Sequence, residues 1–137
     1  MSRKYLLCGI ALAGLSVMLG AFGAHGLKAI VPAAQLAVFE TGVRYEFLHA
    51  LALLLLAFHM QQNKANQEQL KRLNKTGVLF LIGILLFSGS LYALTLQPLI
   101  EFNFTKFIGP ITPIGGLCLI IGWVLWGRAV YFNKVDN

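Results

Sequence analysis

A glutamate and a histidine, Glu46 and His49, lie three residues apart where a polar segment runs into an apolar one. Residues at this spacing occupy neighbouring positions on one face of a helix, so both side chains point to the same side. An ionisable residue inside an apolar helix is costly in lipid and usually faces a partner or a cavity. The pair is therefore the first candidate for chemistry.

Further polar residues are predicted at a similar depth in the outer half of the membrane. They are His25, Arg44, Tyr45, Ser88, Ser90, Tyr92 and Thr112. In a structural network, Glu46 would accept hydrogen bonds from His25, Tyr92 or Arg44 and lock the helix packing. In a binding pocket for a lipid headgroup or small solute, Arg44 and His25 would be the donors. We rank the network first and keep the pocket as the alternative.

Metal and haem chemistry fit these residues poorly. The Glu-x-x-His spacing occurs in di-metal bundles, which need two copies and two further carboxylates, whereas this chain has one copy. For bis-histidine haem, His59 lies about 15 Å along the helix from His49, which leaves His25 with His49. The sequence has no Gly-x-Ser-x-Gly motif and no phosphate-binding glycine loop. We therefore expect no metal, no cofactor and no enzyme.

The elements that must position these residues are apolar helices. Hydrophobic residues make up 58% of the 137 residues and charged residues only 12%. Four stretches lack Lys, Arg, Asp and Glu, namely residues 5–27, 47–63, 76–100 and 107–127, and a membrane-spanning helix needs about 17–25 residues. This excludes a soluble domain, a disordered tail and a secreted disulfide scaffold. We predict one all-α transmembrane domain, residues 1–137, a four-helix bundle with spans near 5–24, 44–60, 77–97 and 109–128.

Several local features refine these spans. The first span could be a signal peptide, but its apolar run is longer than the usual 7–15 residues, so we expect it to stay uncleaved. The pattern of residues 33–60 predicts one helix, either continuous or bent at Gly42, with an amphipathic first half in the outer interface. Two acid–base pairs at four-residue spacing predict helix-surface pairs, Glu40–Arg44 and Glu68–Arg72.

Two sets of residues predict packing and interface positions. Small residues recur every three or four positions on the first helix, at Gly9, Ala13, Ser16, Gly20 and Ala24. This face is either a dimer seam or a packing face within the chain, and we favour the second. Trp123 and Trp126 fall near the end of the fourth span, where an aromatic belt is expected.

The distribution of basic residues predicts the orientation of the protein in the membrane. One side receives eight of the eleven Lys and Arg residues: Arg3, Lys4, Lys64, Lys71, Arg72, Lys75, Arg128 and Lys134. The opposite side receives Lys28, Arg44 and Lys106. The positive-inside rule then places both termini and residues 61–75 in the cytoplasm. Anionic lipid headgroups, and not nucleic acid, are the expected partners of these charges.

Four ordered blocks carry a resemblance to a known family. They are GAFGAHGL at 20–27, YEFLHALA at 45–52, FSGSLY at 87–92 and GPITPIGG at 109–116. Together they cover essentially the whole chain, which resembles the domain of unknown function 423 family of small bacterial inner-membrane proteins and the eukaryotic transmembrane protein 256. The resemblance implies a four-helix integral membrane protein, and it implies no reaction, substrate or catalytic residue.

Three function classes remain. We rank first a structural or accessory membrane protein that packs with itself or with a partner membrane protein. Second is a lipid- or small-ligand-binding protein that uses the outer polar layer. A small oligomeric transporter is third, because a coupling carboxylate is expected near the bilayer midplane and Glu46 is predicted near the outer boundary. We expect a bacterial inner-membrane location, membrane lipids as partners and a possible homo-oligomer.

Overall fold

The computed structural model describes residues 2–63, 66–100 and 105–132. Within these ranges the helices are α1 (Ser2–His25), α2 (Ala33–Gln62), α3 (Gln67–Leu96), the short α4 (Thr105–Ile108) and α5 (Ile111–Tyr131). Short 3-10 turns at Leu27–Ala29 and Gln97–Leu99 follow α1 and α3. Four segments, containing α1, α2, α3 and α5, are long and apolar enough to cross a membrane. The predicted all-α membrane bundle is confirmed.

Side-chain contacts set the direction of the helices. Gly9 of α1 lies beside Leu54 of α2, whereas Gly23 lies beside Phe39, so α1 and α2 are antiparallel. The Thr95 hydroxyl of α3 reaches the Gln35 carbonyl of α2 at 3.2 Å, near the opposite ends of these helices. The bundle therefore runs up, down, up and down.

Neighbouring helices in this bundle are packed in the order α1, α2, α3, α5. The main core lies between them and contains Tyr5, Leu53, Leu56, Met60, Leu73 and Phe80 among its fully buried side chains. A smaller cluster of Leu27, Val31 and Phe39 closes the other end. Tyr5 donates a hydrogen bond to Asn74 at 2.9 Å, which joins the start of α1 to α3.

The segment between the second and third spans is largely helical. α2 extends to Gln62, and α3 begins at Gln67 because the Asn66 side chain accepts a hydrogen bond from the Gln69 backbone N–H at 2.9 Å. Glu68 in the first turn faces Lys71, at 3.7 Å between Nζ and Oε2, in the one ion pair of the described ranges. Glu68 thus pairs with Lys71 and not with Arg72, while Glu40 and Arg44 are both exposed, as predicted for a solvated surface pair, and form no ion pair within the described ranges.

The small-residue face of α1 packs within the chain. Gly9, Ser16 and Gly23 are buried, and a Cβ atom on Gly9 would come within 2.9 Å of the Ala50 carbonyl oxygen of α2. Close approach of helices at small residues is a common way to pack in lipid. The favoured interpretation is confirmed at Gly9 and Ser16, whereas Ala13 and Gly20 of the predicted face are half-buried and Ala24 is exposed.

Antiparallel packing brings basic residues to one end of the bundle. The start of α1, the end of α2, the start of α3 and the end of α5 meet there. Arg3, Lys4, Lys71, Arg72, Lys75 and Arg128 belong to these helix ends. Lys64 and Lys134, which the charge count assigned to the same side, lie outside the described residues.

Candidate functional site

Glu46 is the buried carboxylate of the bundle. Its residue is only 2% exposed, and its Oε2 accepts a hydrogen bond from the Tyr92 hydroxyl at 2.6 Å. This length is in the range of a charge-assisted O–H···O⁻ bond. The predicted hydrogen bond between Tyr92 and Glu46 is confirmed, and it ties α2 to α3.

Gly42 makes room for this bond. A Cβ atom on Gly42 would lie 2.7 Å from the Tyr92 ring, so the ring reaches Glu46 only because residue 42 lacks a side chain. α2 is assigned as one helix through Gly42. The contact with the Tyr92 ring gives Gly42 a packing role, and the bend suggested by the sequence stays a prediction.

The second oxygen of Glu46 has no partner in the described part of the chain. Oε1 is buried and accepts no hydrogen bond there, a condition that it shares with the hydroxyls of Thr76 and Ser88. A buried polar atom without a partner costs about 1–3 kcal/mol, and more if it is charged. Such an atom therefore points to a ligand or a water.

Glu46 lines a groove between α1 and α3. The groove has a volume of about 370 Å³, and its other lining residues are Leu12, Leu15, Leu81, Ile84, Leu85, Gly89 and Tyr92. A Cβ atom on Gly89 would meet nothing within 4 Å, so this wall is open. An apolar cleft of this size with one or two polar groups is typical of a small-molecule site.

His49 is held by two hydrogen bonds. Its Nδ1 donates to the Tyr45 carbonyl at 2.8 Å, and its Nε2 accepts from the indole N–H of Trp123 at 3.1 Å. Because an indole N–H can only donate, Nε2 must carry a lone pair. His49 is therefore neutral in this arrangement, with its proton on Nδ1, and both ring nitrogens are already used.

His59 has a similar partner further along α2. Its Nδ1 accepts from the Trp126 indole at 3.0 Å, and the rings of Trp123 and Trp126 stack with centroids 5.5 Å apart. The sequence had suggested only interface positions for these side chains. A tryptophan in an apolar helix needs a partner for its N–H, and that requirement was the signal for these bonds.

The hydroxyls of the predicted residues Ser88, Ser90 and Thr112 differ in their hydrogen bonding. Ser90 of α3 and Thr112 of α5 share a hydrogen bond of 2.7 Å. Ser88 is buried with a hydroxyl that has no partner among the described residues. Both serines lie on α3, but the bond of Ser90 joins α3 to α5, whereas Tyr92 joins α3 to α2.

Three predicted members lie outside this interior. His25 is exposed, and its Nδ1 donates to the Ala21 carbonyl of its own helix at 3.1 Å. Arg44 is exposed and lines a different groove, between α1 and α2. Tyr45 is 41% exposed and lies against Phe87. The prediction that His25 or Arg44 donates to Glu46 is wrong, because each turns away from it on its helix.

The donor set gives no multidentate metal centre in residues 2–63, 66–100 and 105–132, where no group of three His, Cys, Asp or Glu side chains is close enough to hold an ion. The hydrogen bonds of His25 and His49 do not favour haem ligation by this pair. His49 has both nitrogens occupied within the protein, and His25 is bonded to its own helix at the surface.

The fold and the site define a small multi-pass membrane protein of four apolar helices, in which Glu46 is the buried carboxylate among the residues that the structure describes. Residues 19–116 match the family described as "Protein of unknown function (DUF423)". The match covers more than half of the chain, and the chain belongs to this family.

Curated relatives agree with this assignment. The chain is 44% identical over 136 residues to the UPF0382 membrane protein of Haemophilus influenzae, covering 98% of each chain. It is 39% identical over 123 residues to the UPF0382 membrane protein YwdK of Bacillus subtilis, covering 90% of this chain and 92% of that one. It is 36% identical over 126 residues to the UPF0382 inner membrane protein YgdD of Escherichia coli, covering 91% and 88%. No solved structure matches the chain.

Proposed function

We propose that this protein is a non-enzymatic binding protein of the bacterial inner membrane, and that its ligand is an amphiphile with a protonated amine. One observation carries the proposal. Glu46, a residue that is only 2% exposed, lines an apolar groove, and one of its carboxylate oxygens is without a partner in the described ranges. A ligand that donates to this oxygen would remove the cost of burying it.

The lining of the groove selects the ligand class. Five of its residues are Leu or Ile, which favour an apolar body. Its polar lining residues are Glu46 and Tyr92, and the Tyr92 proton already points to Glu46. What remains at this site is an acceptor, so an amine that carries both a charge and N–H donors fits it. Such an amine belongs either to a lipid headgroup, as in phosphatidylethanolamine, or to a free lipophilic amine.

The membrane location and the orientation are part of the proposal. The Escherichia coli relative is named an inner membrane protein, which supports the same location here. The basic residues at the end of the bundle where α1 begins support cytoplasmic termini. The amphipathic first half of α2 would then lie at the outer surface.

Native mass spectrometry of the protein extracted from its own membrane tests the binding proposal. Wild type should carry a discrete extra mass, and Glu46→Gln should lose it. Glu40→Gln is the matched control, because Glu40 is exposed on the same helix and lines a different groove. The mass identifies the source: a phospholipid with an amine headgroup, or a smaller free amine. A mass that persists in Glu46→Gln would contradict the proposal.

A second variant separates binding from stability, because Glu46→Gln also changes a buried hydrogen bond. Gly89→Val fills open space in the groove wall, so it should displace the ligand and leave the fold intact. Gly14→Val is its control, since a Cβ atom on Gly14 also meets nothing within 4 Å and Gly14 does not line the groove. Equal ligand retention in both glycine variants would count against the groove as the site.

The second candidate is the accessory role, in which the protein packs with itself or with a partner membrane protein. It is favoured by the bonds Tyr92–Glu46, Trp123–His49 and Ser90–Thr112, which join different helices and use three of the buried polar residues of the described ranges. A structural network requires such hydrogen bonds between helices. A homo-oligomer or a co-purified protein, equal in wild type and Glu46→Gln, would support this role instead, whereas a bare chain in both samples would contradict the binding proposal and leave the polar layer structural.

A further inference from the structure

Three basic side chains surround one cavity at the end of the bundle where α3 begins. Arg72 and Lys75 of α3 and Arg128 of α5 line it, and its volume is about 250 Å³. The other lining residues are Leu125, Ala129 and Phe132. Among the described residues, no carboxylate contributes to the wall.

These three charges are not neutralised by the described part of the protein. All three side chains are exposed, and the one ion pair there joins Lys71 and Glu68. Arg128 instead lies over the Phe132 ring, with its guanidinium carbon 5.7 Å from the centroid. Three cations around one cavity repel one another, and an anion bound between them would relieve this repulsion.

A buried hydrogen bond joins α3 and α5 beneath the cavity. The Gln69 side chain is buried and donates to the Ala129 carbonyl at 2.9 Å, which ties the start of α3 to the end of α5. This bond is independent of the basic side chains. The cavity is therefore formed by the helix packing and does not depend on a ligand to assemble it.

The cavity lies at the boundary of the apolar spans. Lys75 directly precedes the uncharged stretch 76–100, Arg72 lies one helical turn before Lys75, and Arg128 directly follows the uncharged stretch 107–127. In a bilayer this boundary is the level of the lipid phosphates, and the acyl chains extend from it along the apolar helices. Leu125 and Phe132 offer apolar surface beside the three charges.

We infer that this cavity binds the phosphate of an anionic phospholipid, with Arg72, Lys75 and Arg128 as its donors. The guanidinium groups supply paired N–H donors that match phosphate oxygens, and the ammonium group adds a third charge. Basic pockets between membrane helices are suited to such headgroups. This site is distinct from the Glu46 groove, and either can exist without the other.

The test uses the full-length protein in a neutral detergent, with binding followed by native mass spectrometry. The probes are phosphatidylglycerol, phosphatidylcholine and inorganic phosphate at equal concentrations. We expect phosphatidylglycerol to bind in preference to the other two. The variant R72Q/K75Q/R128Q should weaken that binding by roughly a hundredfold, because each basic residue near the surface contributes about a fivefold effect.

The control variant R3Q/K28Q/K71Q removes the same number of positive charges from exposed positions outside the cavity. It should bind phosphatidylglycerol within about threefold of wild type. An equal loss in the two triple variants would show a diffuse charge effect and overturn the site. Phosphatidylcholine bound as tightly as phosphatidylglycerol would overturn the preference for an anionic headgroup. Inorganic phosphate bound as tightly would overturn the assignment to a lipid.

Discussion

At Glu46, one carboxylate oxygen accepts a short hydrogen bond from Tyr92 and the other lacks a partner within the described ranges. At His49 the situation is reversed, since both ring nitrogens are bonded. The two residues share a helical face, as their spacing predicts, yet only one retains unused capacity to bind. The site therefore depends on the partners that neighbouring helices supply.

The bond from Trp123 to His49 gives a prediction at this scale. Trp123→Phe keeps an aromatic ring but removes the N–H donor, so the buried Nε2 of His49 loses its partner. We expect a decrease in stability of about 1 kcal/mol, since cross-helix hydrogen bonds in membranes average about 0.6 kcal/mol and reach about 1.7. Unfolding in detergent of wild type, Trp123→Phe, His49→Ala and the double variant measures it.

The double-mutant cycle isolates the bond from other packing changes. A coupling energy near zero between residues 123 and 49 would contradict it. The cycle of Trp126→Phe with His49→Ala is the control, because the Trp126 indole donates to His59. Its coupling should be the smaller of the two.

At the scale of the elements, glycines decide how closely the helices approach. Gly83, Gly115 and Gly122 lie along the contact between α3 and α5, and a Cβ atom on any of them would clash with the partner helix. At Gly115 the atoms in the way are backbone atoms of Leu86 and Phe87, which cannot move aside as a side chain can. These contacts show that α3 and α5 pack closely at the three glycines.

Two adjacent glycines allow a matched test of this packing. Gly115→Ala should destabilise the protein by about 1–3 kcal/mol, since the added methyl must push the helices apart. Gly116→Ala should be neutral or slightly stabilising, because its Cβ atom would lie 3.6 Å from the Phe87 ring and alanine is the better helix former. Unfolding midpoints of the two variants in one detergent give the comparison. Equal midpoints would mean that α3 and α5 do not cross closely at residue 115.

At the scale of the whole molecule, the antiparallel order places the first described residues of α1 and the last of α5 at the same end. Most of the basic side chains of the described ranges gather there, and the cavity of Arg72, Lys75 and Arg128 is part of that end. Glu46 and its groove lie further along α2, within the apolar region. The molecule thus separates a basic surface site from a buried acidic one.

Reporter fusions test the proposed orientation. Reporters at either terminus and within residues 61–75 should report from the cytoplasm, because the basic residues favour that side. A reporter near residue 102, which lies outside the described residues, should report from the opposite side. Alkaline phosphatase and fluorescent protein fusions at each position give complementary signals. A cytoplasmic signal near residue 102 would contradict the four-span topology.

The class of the protein and the number of its candidate spans were determined by the sequence alone, and the sequence also predicted an approximate depth for its polar residues. These properties are local: a span is recognised by its own length and hydropathy, and the depth of a residue follows from its distance to the span ends. The glycine faces were also readable, since small residues at helical spacing mark a packing surface.

The partners of each polar residue were decided only by the tertiary structure. A side chain turns by about 100° around the helix axis with each residue, and non-local packing decides which helix it then faces. Packing turned His25 and Arg44 outward and paired His49 and His59 with tryptophans. It also left Glu46 between Tyr92 and an apolar groove. Depth alone could place these residues in one layer, but only the rotation of each helix decided which of them meet.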